Sequence, residues 1–135
     1  MAPTTRSEKL KRLVGVQRHL EQMAEQELAA TTQQREEVGK SMDRVIDAIG
    51  SMEPVHRLFA QQYSERFGKL TAQDQLLAGA QLIHERQVLK ERAKAERLED
   101  SMKEARMLED REAEDDAIYD LLEQQLATPD PRARK

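Results

Sequence analysis

Histidine and acidic side chains are the groups in this chain that could carry out catalysis or bind a metal ion. Residues 84–88 read His-Glu-Arg-Gln-Val and begin like the zinc-protease helix motif, but the second histidine four residues later is missing. That motif depends on two ligands on one helical face. His19 and His56 are distant from His84 in the sequence. We therefore predict no catalytic residue and no metal site.

The acidic run at 109–116 is the other candidate for metal binding. It lacks the glycine-bearing loop and alternating oxygen ligands of a calcium site, so a solvated helix face explains it better. The chain has no cysteine, no phosphate-binding glycine loop and no nucleophile with an identifiable base. We expect a protein that is not an enzyme and binds no cofactor.

The composition indicates the elements that carry these side chains. Of the 135 residues, 36% are charged, and the chain has two Phe, two Tyr and no Trp. Ala, Leu, Glu, Lys and Arg make up about half of it, which is typical of coiled coils. No segment has the apolar length of a membrane span, and the start lacks a signal-peptide core. We predict a cytoplasmic, all-α, elongated antiparallel two-helix coiled coil.

The first arm of the coiled coil is predicted at about 5–49. We expect Gly50, in a left-handed conformation, and Pro54 to end it. Its apolar seam steps by three or four residues, as in a coiled coil, through Leu10, Leu13, Gln17, Leu20, Ala24, Leu28, Thr31, Arg35, Val38, Met42, Val45 and Ile49.

A tip is predicted at 50–70, with a short separate helix at 54–67 that holds most of the aromatic residues. Gly68 would end this helix, and Thr71 with Asp74 would form the capping box of the next one. The alternative is a continuous helix with Gly68 inside it.

The second arm is predicted at 71–127, and 128–135 is predicted to be a disordered tail because its prolines cannot continue a helix. The seam of this arm runs through Leu77, Ala80, His84, Gln87, Glu91, Ala95, Leu98, Met102, Ala105, Leu108, Glu112, Tyr119, Leu122 and Leu126.

Two pairing registers of the arms are open. A sharp reversal at Met52 gives facing residue numbers that add to about 104, whereas a tip of 50–70 gives about 121. We prefer the second because it places Val45 beside Leu77 and apolar residues opposite one another. It also brings basic residues of the first arm close to acidic residues of the second, namely Arg6, Lys9 and Arg12 to Asp115, Glu112 and Glu109.

The charge distribution and two apolar stretches bear on partners. Residues 1–20 hold five basic side chains against one acidic, and residues 109–123 hold eight acidic against one basic. No aromatic platform accompanies the basic cluster, so we expect no nucleic-acid binding.

The stretch 76–83 is apolar beyond the needs of a seam and either binds a partner or packs on the short helix. In the preferred register the second arm also overhangs, which leaves Ile118, Tyr119, Leu121, Leu122 and Leu126 for a partner helix or a ring-shaped pore.

At these residues the chain resembles the FliJ/YscO family, the coiled-coil stalks of flagellar and type III secretion export machines. Its first arm is similar in style, with Leu10, Leu13 and Met-Ala-Glu-Gln-Glu-Leu-Ala at 23–29. The family's export-gate-binding spacing is met on the second arm by Gln73, Leu77, Ala80 and His84, and on the first by Val38, Met42, Val45 and Ile49. Gln73 stands where the family has an aromatic residue, and the aliphatic Val45 and Ile49 stand where the family has tyrosines on the first arm.

The resemblance implies a non-enzymatic stalk that inserts into a hexameric export ATPase and stimulates it, and that contacts the export gate and export chaperones. The protein would be a monomer in isolation, without membrane insertion, peripherally associated with the inner-membrane export apparatus. Residues facing the ATPase ring would be Arg6, Lys9, Arg12, Ile118, Tyr119, Leu122 and Leu126. The alternatives are a structural coiled-coil adaptor and a secretion chaperone, neither with an ATPase partner.

Overall fold

The computed structural model describes residues 3–127. Three helices account for 94% of these residues, and none of them forms a strand. Helix α1 spans Arg6–Ile49, α2 spans Pro54–Leu58 and α3 spans Ala60–Ala127. Helices α1 and α3 pack against each other, which confirms the predicted all-α fold of two long paired helices with a short helix between them. The predicted tail at 128–135 lies outside the described residues.

Helix α1 begins with a capping box that the sequence analysis did not identify as one. The Glu8 backbone N–H donates to Thr5 Oγ1 at 3.3 Å, and the Thr5 N–H donates to Glu8 Oε2 at 3.4 Å. The two hydrogen bonds satisfy backbone donors that have no partner inside the helix. The helix start is therefore set at Arg6, close to the predicted residue 5.

Helix α1 ends at Ile49 as predicted, but the prediction of a left-handed Gly50 is wrong. No glycine in the described range has a positive φ. Instead, the Gly50 N–H donates to the Ile46 carbonyl at 3.0 Å and the Ser51 N–H donates to the Ala48 carbonyl at 3.3 Å. These bonds tighten the last turn. Pro54 then stands in the first turn of α2, where a backbone N–H has no acceptor within the helix, so the N–H that proline lacks costs no hydrogen bond.

The predicted helix 54–67 and the capping box at Thr71 are also wrong. The short helix ends at Leu58, and Phe59, with φ −105° and ψ 14°, separates it from α3. The Thr71 hydroxyl donates to the Phe67 carbonyl at 2.9 Å, so it bonds back into α3 instead of capping a new helix. The alternative of a continuous helix through Gly68 is confirmed. The cost of a helical glycine, about 1 kcal/mol, is small beside the packing along α3.

The packing is described in two units. The terminal unit consists of the described residues of Met1–Val16 and Ala95–Lys135, and the central unit is Gln17–Lys94. In both, all the buried residues fall on one series that alternates steps of three and four along each helix, which is a heptad seam. In the terminal unit the seam is Ser7, Leu10 and Val14 with Ala95, Leu98, Met102, Ala105 and Glu109. In the central unit it is Gln17, Glu21, Ala24, Leu28, Thr31, Arg35, Val38, Met42 and Val45 with Tyr63, Phe67, Leu70, Asp74, Leu77, Gln81, His84, Val88 and Glu91.

Several large apolar residues that were predicted in the seam lie beside it. Leu13 and Leu20 are 52% and 41% exposed, and Val14 and Glu21 occupy the seam instead. On α3 the seam positions are Gln81, Val88 and Glu109, each one residue after the predicted Ala80, Gln87 and Leu108. At Leu13, Leu20 and Leu108 the prediction followed the larger apolar side chain, whereas the alternation of three and four through the buried Val38 and Val45 fixes the phase of the seam on α1.

The helix pairing follows neither predicted register. Hydrogen-bonded residues of α1 and α3 have numbers that add to between 108 and 117, as in the pairs Ser7–Glu109, Gln17–Glu91, Glu21–Arg92, Glu25–Arg92 and Arg35–Asp74. The predicted sums of 121 and 104 are therefore both wrong, and Arg6, Lys9 and Arg12 are not matched with Asp115, Glu112 and Glu109. The connection between α1 and α3 is shorter than the predicted tip, so the partners of α1 come earlier in α3.

Candidate partner-binding surfaces

The start of α1 in the terminal unit is fixed to α3 through Ser7. Its backbone N–H donates to Glu109 Oε1 at 2.9 Å, and its hydroxyl donates to Glu109 Oε2. The hydroxyl hydrogen bond, followed by the backbone one, holds the pKa of Glu109 below its ordinary value. Ser7 is buried although it is only the second residue of the helix. This contact marks where α1 stops accompanying α3.

A cavity of about 490 Å³ lies beside this contact. Ala105 and Leu108 supply apolar surface, and a guanidinium and three carboxylates supply polar groups. Its lining consists of Thr5, Arg6, Ser101, Glu104, Ala105, Leu108, Glu109 and Glu112. Its volume admits one or more side chains from a partner, and the lining offers both apolar contact and charge.

Residues 110–127, which we call the α3 extension, are all exposed. The helix continues through them although α1 begins at Arg6, so no residue of α1 is available to cover them. The large apolar side chains among them are Ile118, Tyr119, Leu121, Leu122 and Leu126, between 48% and 87% exposed. An overhang that leaves these five residues uncovered was predicted from the sequence, and in the structure it starts at residue 110.

The apolar side of the α3 extension continues the seam only in part. Counting on by three and four from Glu109, the seam positions are Glu112, Asp116, Tyr119, Glu123 and Leu126, three of them acidic. Ile118, Leu122 and Leu126 are four residues apart and share one side of the helix. Leu122 is two heptads beyond Leu108, which lines the cavity, so the apolar side of the extension is the cavity side.

The basic residues proposed for a partner, Arg6, Lys9 and Arg12, are all exposed. Arg6 and Leu13 are seven residues apart, as are Lys9 and Val16, and these four share one side of α1. Leu13 and Val16 are 52% and 60% exposed. We call these four residues the basic face. Because Arg6 lines the same cavity as Leu108, the basic face and the apolar side of the α3 extension lie on one side of the terminal unit.

The central unit has a seam rich in polar contacts, which the sequence analysis only partly recognised. Gln17 Nε2 donates to the Glu91 carbonyl at 3.2 Å and to its carboxylate. Arg35 Nε donates to Asp74 Oδ1 at 3.1 Å, and its Nη1 donates to Gln81 Oε1 at 3.2 Å. Polar seam residues fix register at a cost in stability. Gln17, Arg35 and Glu91 were predicted in the seam, whereas Glu21, Asp74 and Gln81 were not. Counting back by sevens from Met42 finds Glu21, and counting back from Val88 finds Gln81 and Asp74.

Glu21 is an acidic residue of this seam that accepts hydrogen bonds from two arginines. Arg92 Nε donates to its Oε1 at 3.1 Å and Arg18 Nη1 donates to its Oε2 at 2.6 Å. The Arg18 and Arg92 hydrogen bonds hold the pKa of Glu21 below its ordinary value. Arg92 Nη2 also reaches Glu25 Oε1 at 3.3 Å. These contacts tie the two helices of the central unit together by charge.

The eight residues predicted to contact an export gate all lie in the central unit, but they do not form an open surface. Val38 and Val45 are 7% and 6% exposed and face α3. Met42, Leu77, Ala80 and His84 are half-buried, and Gln73 and Ile49 are exposed. His84 Nδ1 lies 3.6 Å from Glu27 Oε2, across the two helices. While α1 and α3 stay packed, a partner has access mainly to Gln73, Ile49 and the outer edges of the half-buried residues.

Other exposed apolar residues surround the predicted gate-binding set. Leu76, Leu82 and Ile83 are 77%, 49% and 65% exposed, so the stretch 76–83 does not pack on α2 with its largest side chains. Around the turn, Met52 and Leu58 are 83% and 78% exposed. The central unit thus also offers apolar surface to a partner.

Within residues 3–127 no group of three or more histidine or acidic side chains is placed to hold a metal ion. No helix in this described range has the length and apolar character required to span a bilayer. No protein-family model, curated protein or solved structure matches the chain. The resemblance to the FliJ/YscO family therefore stays a prediction from the quoted residues.

Proposed function

We propose that this chain is a non-enzymatic stalk of a flagellar or type III protein export apparatus. The terminal unit inserts into the pore of a hexameric export ATPase and stimulates it, and the central unit contacts the export gate. Export chaperones are further partners. On this proposal the protein acts in the cytoplasm, peripherally associated with the inner-membrane export apparatus, and supplies no catalytic group, cofactor or metal of its own.

The observation that carries the proposal is the α3 extension. A lone helix with this much exposed apolar surface is not stable by propensity alone, so it gains most when it packs on a partner. The exposed Arg6, Lys9 and Arg12 lie at the start of α1, in the same unit. A ring pore would contact both the basic start of α1 and the apolar side of the extension.

The gate contact needs a different set of residues from the one that the family spacing suggests. Buried Val38 and Val45 serve the seam and position the neighbouring side chains. Gln73 and Ile49, together with the exposed Leu76 and Ile83, are the residues that a gate protein can reach. We therefore assign the gate contact to the exposed edge of the central unit.

The test is the ATPase rate of the purified cognate export ATPase with and without this chain, together with co-sedimentation of the two proteins. Stimulation that is lost in the variant Ile118→Ser/Leu122→Ser supports the stalk. A matched control is Leu76→Ser/Ile83→Ser, which removes two exposed apolar residues from the central unit and should leave stimulation intact. No stimulation and no co-sedimentation would refute the proposal.

A structural adaptor without an ATPase partner is the second candidate. The exposed apolar side chains of Met52 and Leu58 favour it, because neither residue belongs to the gate contact or to the ring contact assigned to the stalk. An adaptor would bring down partners through the central unit from a lysate that contains no export ATPase, and Met52→Ser/Leu58→Ser would abolish their capture.

A further inference from the structure

We propose that a second copy of this chain covers the terminal unit when no other partner is present. The α3 extension of each copy lies on the basic face of the other, so that two equivalent contacts form about a two-fold axis. This inference goes beyond the stalk function and rests on the surfaces of the terminal unit alone.

Charge complementarity is the first argument. Residues 109–123 hold eight acidic side chains and one basic one, whereas Arg6 and Lys9 on the basic face are accompanied by Lys11 and Arg12. Two α3 extensions packed only on each other would place like charges together, which is unfavourable. An extension placed on the basic face of a second copy meets opposite charge, and this sets the orientation of the pair.

Apolar complementarity is the second argument. The basic face contains Leu13 and Val16, both more than half exposed, and the cavity beside it is partly lined by Leu108. Leu122 and Leu126 of the second copy offer apolar side chains for these sites. Because these groups share one side of the terminal unit, a single docked helix covers them all.

Symmetry and size fit a dimer of modest affinity. In a two-fold contact each copy supplies the same surface, and this terminal unit carries both halves of the complementary pair. The α3 extension is about 27 Å long, and a helix is about 10 Å wide. Two such strips, counted on both copies, bury on the order of 1,000 Å², which is at the lower bound of a specific interface.

The dimer has a consequence for availability. It covers the same surfaces that the stalk proposal assigns to the ATPase ring, so a ring can bind only a chain released from its second copy. The monomer expected from the sequence would then be the partner-bound or dilute form. Leu13 is available to a second copy because it is 52% exposed and lies beside the seam, whereas the sequence predicted it inside the seam.

The chain contains no cysteine, so single-cysteine variants report contacts between copies directly. Leu13→Cys and Leu122→Cys, mixed and oxidised, should form a disulfide-linked pair with each other in preference to pairs of like variants. Leu76→Cys is a matched control, since Leu76 is exposed and lies in the central unit. All three positions are exposed, so the substitutions leave the seam intact.

Sedimentation equilibrium of the full chain at low and high salt completes the test. We expect a dimer that dissociates at least tenfold more readily when the salt concentration rises from about 50 to 500 mM, because screening weakens the contact between opposite charges. A chain that stays monomeric at high concentration and low salt overturns the proposal. A dimer in which Leu76→Cys and Leu13→Cys form disulfides with Leu122→Cys in equal yield also overturns it. Neither result depends on an ATPase, so the stalk proposal is judged separately.

Discussion

Replacing buried and exposed valines of α1 by alanine tests the seam that organises both units. Val38 and Val45 are 7% and 6% exposed, whereas Val16 is 60% exposed. Val→Ala removes about two methylene equivalents, or about 1.5 kcal/mol of burial at a seam position and about 0.6 kcal/mol at Val16. Alanine is also the better helix former by about 0.5 kcal/mol, and this gain applies at all three positions.

We therefore expect Val38→Ala and Val45→Ala each to lower the free energy of unfolding by about 1 kcal/mol, and Val16→Ala to leave it nearly unchanged. Urea unfolding followed by circular dichroism at 222 nm measures the difference at constant m-value. A loss at Val16 equal to the loss at Val38 would show that the seam is assigned to the wrong side of α1.

Three further predictions test the helix, the register and the ion pairs. Gly68→Ala should raise the free energy of unfolding by about 0.5–1 kcal/mol, because Gly68 is helical and an added Cβ meets nothing within 4 Å; a loss of stability would contradict a continuous α3. Cysteines in place of Gln17 and Glu91 should oxidise to an intrachain disulfide, whereas cysteines at Val45 and Leu77 should not, and the reverse result would restore the register predicted from sequence. Because the pKa of Glu21 is lowered in the folded protein, its stabilising contribution is complete above its unfolded pKa of about 4.5 and is lost as the pH falls through the lower folded value. Glu21→Gln should therefore make the melting temperature fall less steeply between pH 5 and pH 2. An unchanged pH profile would exclude this contribution.

The long helices could be predicted because their signals are local and redundant. Many residues with high helix propensity and apolar side chains at spacings of three and four define α1 up to Ile49 and α3 up to Ala127. The breaks around Gly50 and Pro54 were equally clear. The boundary at Gly68 was not, because a glycine inside a helix and a glycine that ends one look alike until the tertiary packing is known.

The register could not be predicted because it depends on polar contacts that have no local signature. Arg35 pairs with Asp74, and Gln17 pairs with Glu91. The sequence places Gln17, Arg35 and Glu91 in the predicted seams, but it does not show which polar side chain of the other helix each of them meets. Matching large apolar residues instead shifted the predicted alignment toward a longer tip.

Of the candidate partner-binding surfaces, one could be predicted from the sequence and one could not. The overhanging end of α3 was predictable because one arm is longer than the other, and Ile118 and Leu122 are exposed as expected. The gate-binding set was drawn from a family spacing that coincides with a heptad. A heptad spacing by itself describes a seam, and this is why Val38 and Val45 prove to be buried between the helices.

The most direct test of the stalk proposal is a titration of the cognate export ATPase with this chain while the rate of ATP hydrolysis is recorded. We predict that the rate rises and saturates with the wild-type chain. Ile118→Ser/Leu122→Ser should shift the half-maximal concentration upward by at least tenfold, whereas the central-unit control Leu76→Ser/Ile83→Ser should reproduce the wild-type curve. A flat response to the wild-type chain, or equal curves for wild type and Ile118→Ser/Leu122→Ser, would contradict the account.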